Sequence, residues 1–361
     1  MWNAVNHILT SVLPPVLPIR PHPDSQAAPA HGTTAKDPTT GKMDAEGVYK
    51  PSITDVIVVK AMLVKGLGIP VELVDSIVEL AEYWPHVTAE VSWGDERPNQ
   101  VHSGPGSENQ FLLRTPPLGF PDWGADSTTT YTRTIRPQPP GEDFSTSSFQ
   151  KLAKSPMTLL AQPCRRVVFT IRSKDQGWGG SYEDQDTYRG SWTWFEAGLE
   201  RWCKKTQVSS QQEQQQQPSA SDESDPKEDD NEDDGQQQQP SLKLEDLSTV
   251  IPQVVVDPQD NEFKFNHPLL PEEHVKIQCN KLTEREYITH RVEWSYDDDI
   301  DPEDEVAAKK LHEVGRGERT GNGEFVKNMK IGDVVTVWGK ARFGGWVNNI
   351  SSVKVEVYWA V

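Results

Sequence analysis

What this 361-residue chain lacks narrows its class before any motif is read. It has three cysteines, Cys164, Cys203 and Cys279, far apart and in no CxxC pair. That argues against a disulfide scaffold and a structural zinc site, and it fits a reduced compartment, cytoplasmic or nuclear. Hydrophobic residues make up 35% of the chain, below the ~45–50% of ordinary globular chains (a count that includes Gly). Long unstructured stretches diluting a normal core are therefore expected. Basic residues are scarce: 36 Lys and Arg against 55 Asp and Glu leave a net charge of −19. A chain this acidic repels phosphate backbones, so no nucleic-acid partner is expected. No apolar run approaches the ~18 residues that span a bilayer, so no membrane partner is expected either. The mildly apolar start, Trp2 to Leu17, has no basic flank and carries Pro14 and Pro15, which is not a signal-peptide pattern.

Motifs of known chemistry are missing too. There is no G-x-S-x-G, Walker loop, H-E-x-x-H or Rossmann fingerprint. No catalytic residue and no cofactor can be assigned. The acidic run Asp297-Asp298-Asp299-Ile300-Asp301 invites a calcium loop but fails its pattern. Pro302 stands where the turn glycine belongs and Ala308 where the bidentate Glu belongs. The same residues read as a helix start, with a cap at Asp301, Pro302 in the first turn and acids after it. No metal site is expected.

What is present falls into segments. Residues 1–50 read as a disordered tail rich in Pro, Ala, Gly, Thr and His. Residues 51–93 read as a helical segment: Ser52 to Asp55 offers helix-starting residues, Gly66 and Gly68 stop that helix, and Pro70 starts another. In the second helix Leu73, Ile77 and Leu80, with Val74 and Ala81, form an apolar stripe at helical spacing. Residues 94–163 read as an irregular Pro/Gly-rich connection with a short strand near Phe111 to Arg114. Residues 207–240 hold eleven Gln, ten Asp or Glu and a single Lys, and cannot bury enough apolar surface to offset the cost of ordering.

From Cys164 the period changes to two. Val167, Phe169 and Ile171 share one face. So do Val275, Ile277 and Cys279; Ile288, His290, Val292 and Trp294; Val335, Val337, Ala341 and Phe343; and Val353, Val355, Val357, Trp359 and Val361. Alternating strands with long irregular connections predict a mainly β, α+β chain: an antiparallel, jelly-roll-like β-sandwich over 164–361, interrupted by the disordered insertion at 207–240.

Two glycine-rich blocks interrupt the strands. The first holds Asp175, Gln176 and Trp178 before Trp192 and Trp194; the second holds Arg342, Trp346 and Asn348. A flat aromatic ring beside amide and carboxylate groups is the chemistry of a sugar or peptide site. The six residues Asp175, Gln176, Trp178, Arg342, Trp346 and Asn348 are therefore the candidate ligand-binding set, with both blocks expected to meet in space. Trp192 and Trp194, on one strand face, read as core, and His290 reads as a core histidine. Asp175 also suits an Asx turn that orders its own loop.

The stretch Asp175-Gln176-Gly177-Trp178, then Gly190-Ser191-Trp192-Thr193-Trp194-Phe195-Glu196, resembles a family of largely uncharacterised fungal proteins. Gly332-Asp333-Val334-Val335-Thr336-Val337-Trp338 and Gly345-Trp346-Val347-Asn348 resemble that family's C-terminal strands. The resemblance implies a shared fold and no particular activity. Ile69-Pro70-Val71-Glu72-Leu73-Val74 also resembles the opening of an F-box, with Ile69 in place of Leu; Tyr83-Trp84-Pro85 ends the helix where an F-box continues. Together these features point to a non-enzymatic binding or adaptor protein whose sandwich recognises a protein or glycan partner. The alternatives are an enzyme with an unrecognised carboxylate or histidine site, and an F-box-like ubiquitin-ligase adaptor. Replacing residues 207–240 by a short Gly-Ser linker is expected to leave the melting temperature unchanged; a drop of many degrees in a thermal melt would show that the segment packs.

Overall fold

Alternation dictates most of the architecture. The computed structural model describes residues 42–43, 49–121, 123, 138, 141–153, 156–158, 160–204, 242–259, 263–267, 270 and 272–361. Most of the tail expected over 1–50, and all of the insertion expected at 207–240, lie outside these residues. Within the expected tail, Lys42–Met43 pairs antiparallel with Tyr49–Lys50. Tyr49 stacks on Tyr83 and Lys50 pairs with Glu356, so Tyr49 and Lys50 pack on the fold rather than belonging to a tail.

The strands are β1 (His86–Ser92), β2 (Asn99–His102), β3 (Asn109–Arg114), β4 (Cys164–Lys174), β5 (Thr193–Lys204), β6 (Leu247–Ile251), β7 (Val254–Val256), β8 (Phe263–Phe265), β9 (Lys276–Cys279), β10 (Ile288–Ser295), β11 (Val334–Ala341) and β12 (Val347–Trp359). One antiparallel sheet has the order β10-β4-β12-β1, with β2 beside β12. The other has β9-β5-β11-β3, with β6 beside β5. Successive strands cross repeatedly between the two sheets, and this order is that of a jelly-roll sandwich.

The sandwich therefore starts at His86, not at Cys164. The stretch expected to be helical ends in β1, and the stretch expected to be irregular supplies β2 as well as β3, the strand expected near Phe111 to Arg114. β2 is short and pairs with β12, at the far end of the chain, whereas β1 does alternate, with Val87 and Ala89 buried and Thr88 and Glu90 exposed. Between the sheets, Val167, Phe169, Ile171, Phe195, Ala197, Leu199, Val335, Val337, Val353, Val355, Val357 and Trp359 form one core. Trp294 meets Phe169 edge-on at 5.0 Å between ring centres.

Helix α1 (Ile53–Ala61) begins as its letters predict. Ser52 Oγ accepts from the Asp55 amide and Asp55 Oδ2 accepts from the Ser52 amide, a reciprocal cap. A π turn over Met62–Gly66 follows, then α2 (Val71–Leu80). The buried line of α2 is Val74 and Val78, whereas Leu73 is 56% and Leu80 80% exposed. The expected stripe through Leu73 and Leu80 is wrong by one position, a turn of about 100° around the helix. No described helix is long and apolar enough to cross a membrane.

The outer face of the second sheet is unusual. Glu196, Glu200 and Lys340 project from it with Trp194, Thr336 and Trp338, and all are buried. The β7–β8 hairpin covers part of it, with Phe265 edge-on to Trp338 at 4.8 Å. Lys340 Nζ lies 2.9 Å from Glu196, and Arg114 makes two bonds to Glu200 at 2.9 and 2.8 Å. Gly198 is required on this face: a Cβ there would stand 2.3 Å from Thr336 Oγ1 and 2.5 Å from the Ile251 carbonyl.

Val357 and Trp359 are each 1% exposed. Trp359 has more apolar area than a Val, whose burial alone is worth ~1.5–3 kcal/mol, against ~5–15 kcal/mol for a whole domain. Deleting Tyr358 to Val361 is expected to remove most of the stability in a urea melt. An unchanged midpoint would mean that this strand end adds nothing to the core.

Candidate functional site

Strand β4 ends at Lys174, and the next residue turns the chain into the first glycine-rich loop. Asp175 is 1% exposed. Its carboxylate accepts from the amides of Gly177 (2.8 Å) and Thr283 (2.7 Å), and its carbonyl accepts from Asn349 Nδ2 (2.9 Å). Burial pushes its pKa above the usual carboxylate range, while the two amide donors pull the other way. Gln176 Oε1 accepts from the Val347 amide at 3.2 Å, and its Nε2 donates to the Trp178 carbonyl. The loop is thus sewn to the start of β12, and the two glycine-rich blocks do meet.

At their junction stands Trp178, 62% exposed. Its ring touches the second block by its outer edge: a Cβ on Gly345 would lie 3.0 Å from Trp178 Cη2. Gly345 also has φ +92°, so glycine is needed twice over. Beside it, Phe343 is 45% exposed and meets Trp192 edge-on at 4.4 Å. Phe343 has φ +62°, rare for a bulky residue and a source of strain of about 1–3 kcal/mol. Trp346, half-buried, ties the same turn by its main chain: its amide donates to the Phe343 carbonyl and its carbonyl accepts from the Ser103 amide.

Two expected rim residues lie elsewhere. Arg342 is 2% exposed. Its guanidinium lies over the Trp194 ring at 5.2 Å and donates to the Glu108 carbonyl (2.9 Å) and Asn109 Oδ1 (2.7 Å). Asn348 is fully buried; its Nδ2 donates to the Trp194 carbonyl at 3.2 Å and its Oδ1 accepts from Asn280 Nδ2 at 2.9 Å. Asn280 also accepts from Ser173 Oγ (2.7 Å) and donates to Thr193 Oγ1 (2.9 Å), so this amide chain joins the two sheets. Both residues were expected on the surface because glycine-rich flanks suggest a loop. In the fold each finds fixed polar partners that repay its desolvation.

The candidate set therefore divides. Trp178 and Trp346, with Gln176 beneath, belong to an aromatic end of the sandwich that also includes Phe343 and Trp192. Asp175, Arg342 and Asn348 are its scaffold. Trp194 is fully buried as expected, whereas Trp192, expected in the core, is only partly covered. Sequence reasoning missed Phe343 as a surface group, although a bulky residue before Gly344-Gly345 was a usable signal.

Three titratable groups away from this end, His290, His267 and Lys340, are wholly or partly closed in. His290 is 9% exposed, bonds to the Tyr188 hydroxyl at 3.1 Å, and has its Nδ1 buried without a partner. His267 lies 3.0 Å from Lys340 Nζ. Burial lowers the Lys340 pKa, and Glu196 opposes that shift. Among the described residues no group of three His, Cys, Asp or Glu is placed to hold a metal. In the acidic run, the cap of α3 (Glu305–Glu313) is Asp304, not Asp301. Asp304 accepts from the Val306 amide at 2.9 Å, whereas Asp301 makes a turn with the Glu303 amide. Compared with known proteins, the chain matches no family model, no curated protein and no solved structure.

Burial lowers the pKa of His290 from 6.5 to about 4, and burial with nearby Lys340 and Arg342 lowers that of His267 to about 3. Both are neutral in the folded chain, so as pH falls below about 6.5 the unfolded chain takes up protons first and stability is lost. Urea midpoints are expected to fall between about pH 7 and about pH 5, with up to about 2 kcal/mol lost per histidine. The double variant His267→Gln, His290→Gln should narrow that gap; an equal gap would assign the acid sensitivity to other groups.

Proposed function

We propose that this is a non-enzymatic binding or adaptor protein whose β-sandwich recognises a protein or glycan partner through its aromatic end. The observation that carries the reading is Trp178: a large apolar ring, 62% exposed, held by its edge on Gly345 by a loop that Asp175 and Gln176 fix in place. Orienting an exposed ring in this way removes in advance the entropy cost of ordering it on binding. Exposed Phe343, kept in a strained conformation beside Trp192, supports the same reading, because such strain collects at functional sites. The enzymatic alternative has less support. Lys340 and Glu196 are sealed, and His290 is used by Tyr188.

A specific observation favours an adaptor form of this reading. The helical segment leaves Val58, Met62, Val64, Leu67, Val71, Leu73 and Leu80 exposed within thirty residues. Apolar side chains so concentrated mark an interaction surface, and two of them, Val71 and Leu73, belong to the F-box-like letters. In that form the helices engage a ubiquitin-ligase scaffold while the aromatic end selects the client.

The test is affinity purification with mass spectrometry, alongside a glycan array. Trp178→Ala with Phe343→Ala should leave the melting temperature within a few degrees, since exposed substitutions cost about 0.5 kcal/mol or less. The same pair should lose the partner, because aromatic anchors are worth ~2 kcal/mol or more in an interface. Leu73→Asp with Leu80→Asp should remove a ligase scaffold and spare the client. Partners recovered equally by all three proteins would sink the reading.

A further inference from the structure

At the aromatic end the hydrogen-bond acceptors are spent and the donors are not. Resting on that end as a binding surface, we propose that it takes a proline-rich segment of a partner protein, in the extended polyproline II form. The main-chain acceptors are used within the fold. The Trp178 carbonyl accepts from Gln176 Nε2, that of Phe343 from the Trp346 amide, that of Trp346 from the Ser103 amide, and that of Trp192 from the Arg342 amide. The nearest side-chain acceptors are used too: Gln176 Oε1 by the Val347 amide, and the Asp175 carboxylate by the amides of Gly177 and Thr283. Among the described residues, none of the indole N–H groups of Trp178, Trp192 and Trp346 donates to the protein. Those of Trp192 and Trp346, unlike those of Trp202 and Trp294, stay open to solvent.

Apolar rings with donors and no spare acceptors suit a ligand that is itself apolar and only accepts. A proline residue has a carbonyl and no N–H. In the polyproline II helix those carbonyls make no internal hydrogen bonds, so they remain for the indole N–H groups. The helix is formed before binding, which lowers the entropy cost of docking, and it is taken up by aromatic-lined surfaces. A glycan fits less well. Each sugar hydroxyl covered by the rings needs an acceptor for its own hydrogen, and a covered polar group without a partner is costly. An ordinary peptide meets the same penalty through its N–H groups. Ionic recognition is not offered either: Asp175 is 1% and Arg342 2% exposed, and Arg342 is spent on the Glu108 carbonyl and Asn109.

The probe is decaproline, acetylated and amidated at its ends; a Gly-Ser peptide of the same length and a cellulose hexasaccharide are its controls. The readout is the indole N–H resonances of the full-length protein, assigned as the signals lost in Trp178→Phe, Trp192→Phe and Trp346→Phe. Decaproline at up to millimolar concentration should shift all three saturably, and the controls should leave them in place. Trp178→Phe keeps a ring and loses the donor, so it should weaken decaproline by up to about tenfold, the ratio that ~1.4 kcal/mol gives. Trp178→Ala should weaken it about thirtyfold, the ratio for an anchor worth ~2 kcal/mol. Phe343→Gly suits the positive φ at that position; it should weaken binding without lowering the melting temperature, which guards against misfolding. Unmoved resonances, equal shifts from either control, or undiminished affinity in Trp178→Ala and Phe343→Gly would each overturn the proposal. With unmoved resonances, a pull-down partner still lost in Trp178→Ala with Phe343→Ala would overturn the proline ligand and leave the aromatic end as a binding surface. With unmoved resonances, a partner kept by that pair would overturn both.

Discussion

The structure depends first on the main-chain pairing of β12. This strand lies inside the first sheet with β4 on one side and β1 and β2 on the other, so both of its edges are satisfied only when the whole sheet is present. Unpaired backbone donors and acceptors in that position would be buried at high cost. Its alternate side chains, Val353, Val355, Val357 and Trp359, supply the centre of the core. Its first residues hold the loop: Val347 bonds Gln176 and Asn349 bonds Asp175. One element thus sets the sheet, the core and the aromatic end. Because its partners β1, β2 and β4 all lie far earlier in the chain, these contacts are long-range and the fold must close large loops before they form.

A second constraint comes from the charges on the outer face of the other sheet. Arg114 with Glu200, and Lys340 with Glu196, are almost fully desolvated. Such pairs give little net stability, because desolvation consumes most of the attraction. They do restrict the arrangement: losing one partner leaves a buried charge alone. Trp194 Nε1, donating to Glu196 at 2.7 Å, and the Glu272 amide fill the carboxylate's other acceptor positions. The face is therefore satisfied internally and selects one register of β11 against β5.

Legibility followed the range of the interactions. Strands that alternate cleanly, such as Val167-Phe169-Ile171 and Val353 to Trp359, were readable because period two is a local property. The cap at Ser52 was readable for the same reason, four letters containing donor and acceptor. β2 was not, since it is four residues long and pairing with β12 decides it, whereas β1 carries its own alternation, with Val87 and Ala89 buried and Thr88 and Glu90 exposed. Arg342 and Asn348 failed similarly: the glycines beside them are local, while Glu108, Asn109 and Asn280, which bury them, are distant in sequence. Glu196 and Lys340 carried a faint signal, a charge two residues from a tryptophan on each strand (Trp194 and Trp338). Only the pairing of Lys340 opposite Trp194 in the register makes the two charges meet.

The aromatic end shows why its surface and its support had to be distinguished by burial rather than by residue type. Asp175 and Gln176 are as polar as any ligand-contacting pair, yet their hydrogen bonds are spent inside the loop and on Thr283, Val347 and Asn349. Trp178 and Phe343 are apolar and would gain free energy by being covered, yet the fold holds them out. Gly345 alone permits the Trp178 edge to approach, and Phe343 occupies a backbone region where glycine or asparagine would be easier. Substituting glycine there would relieve strain and lose the ring that packs on Trp192. The sequence keeps the costly choice at a position where the side chain faces outward, so core packing does not account for it.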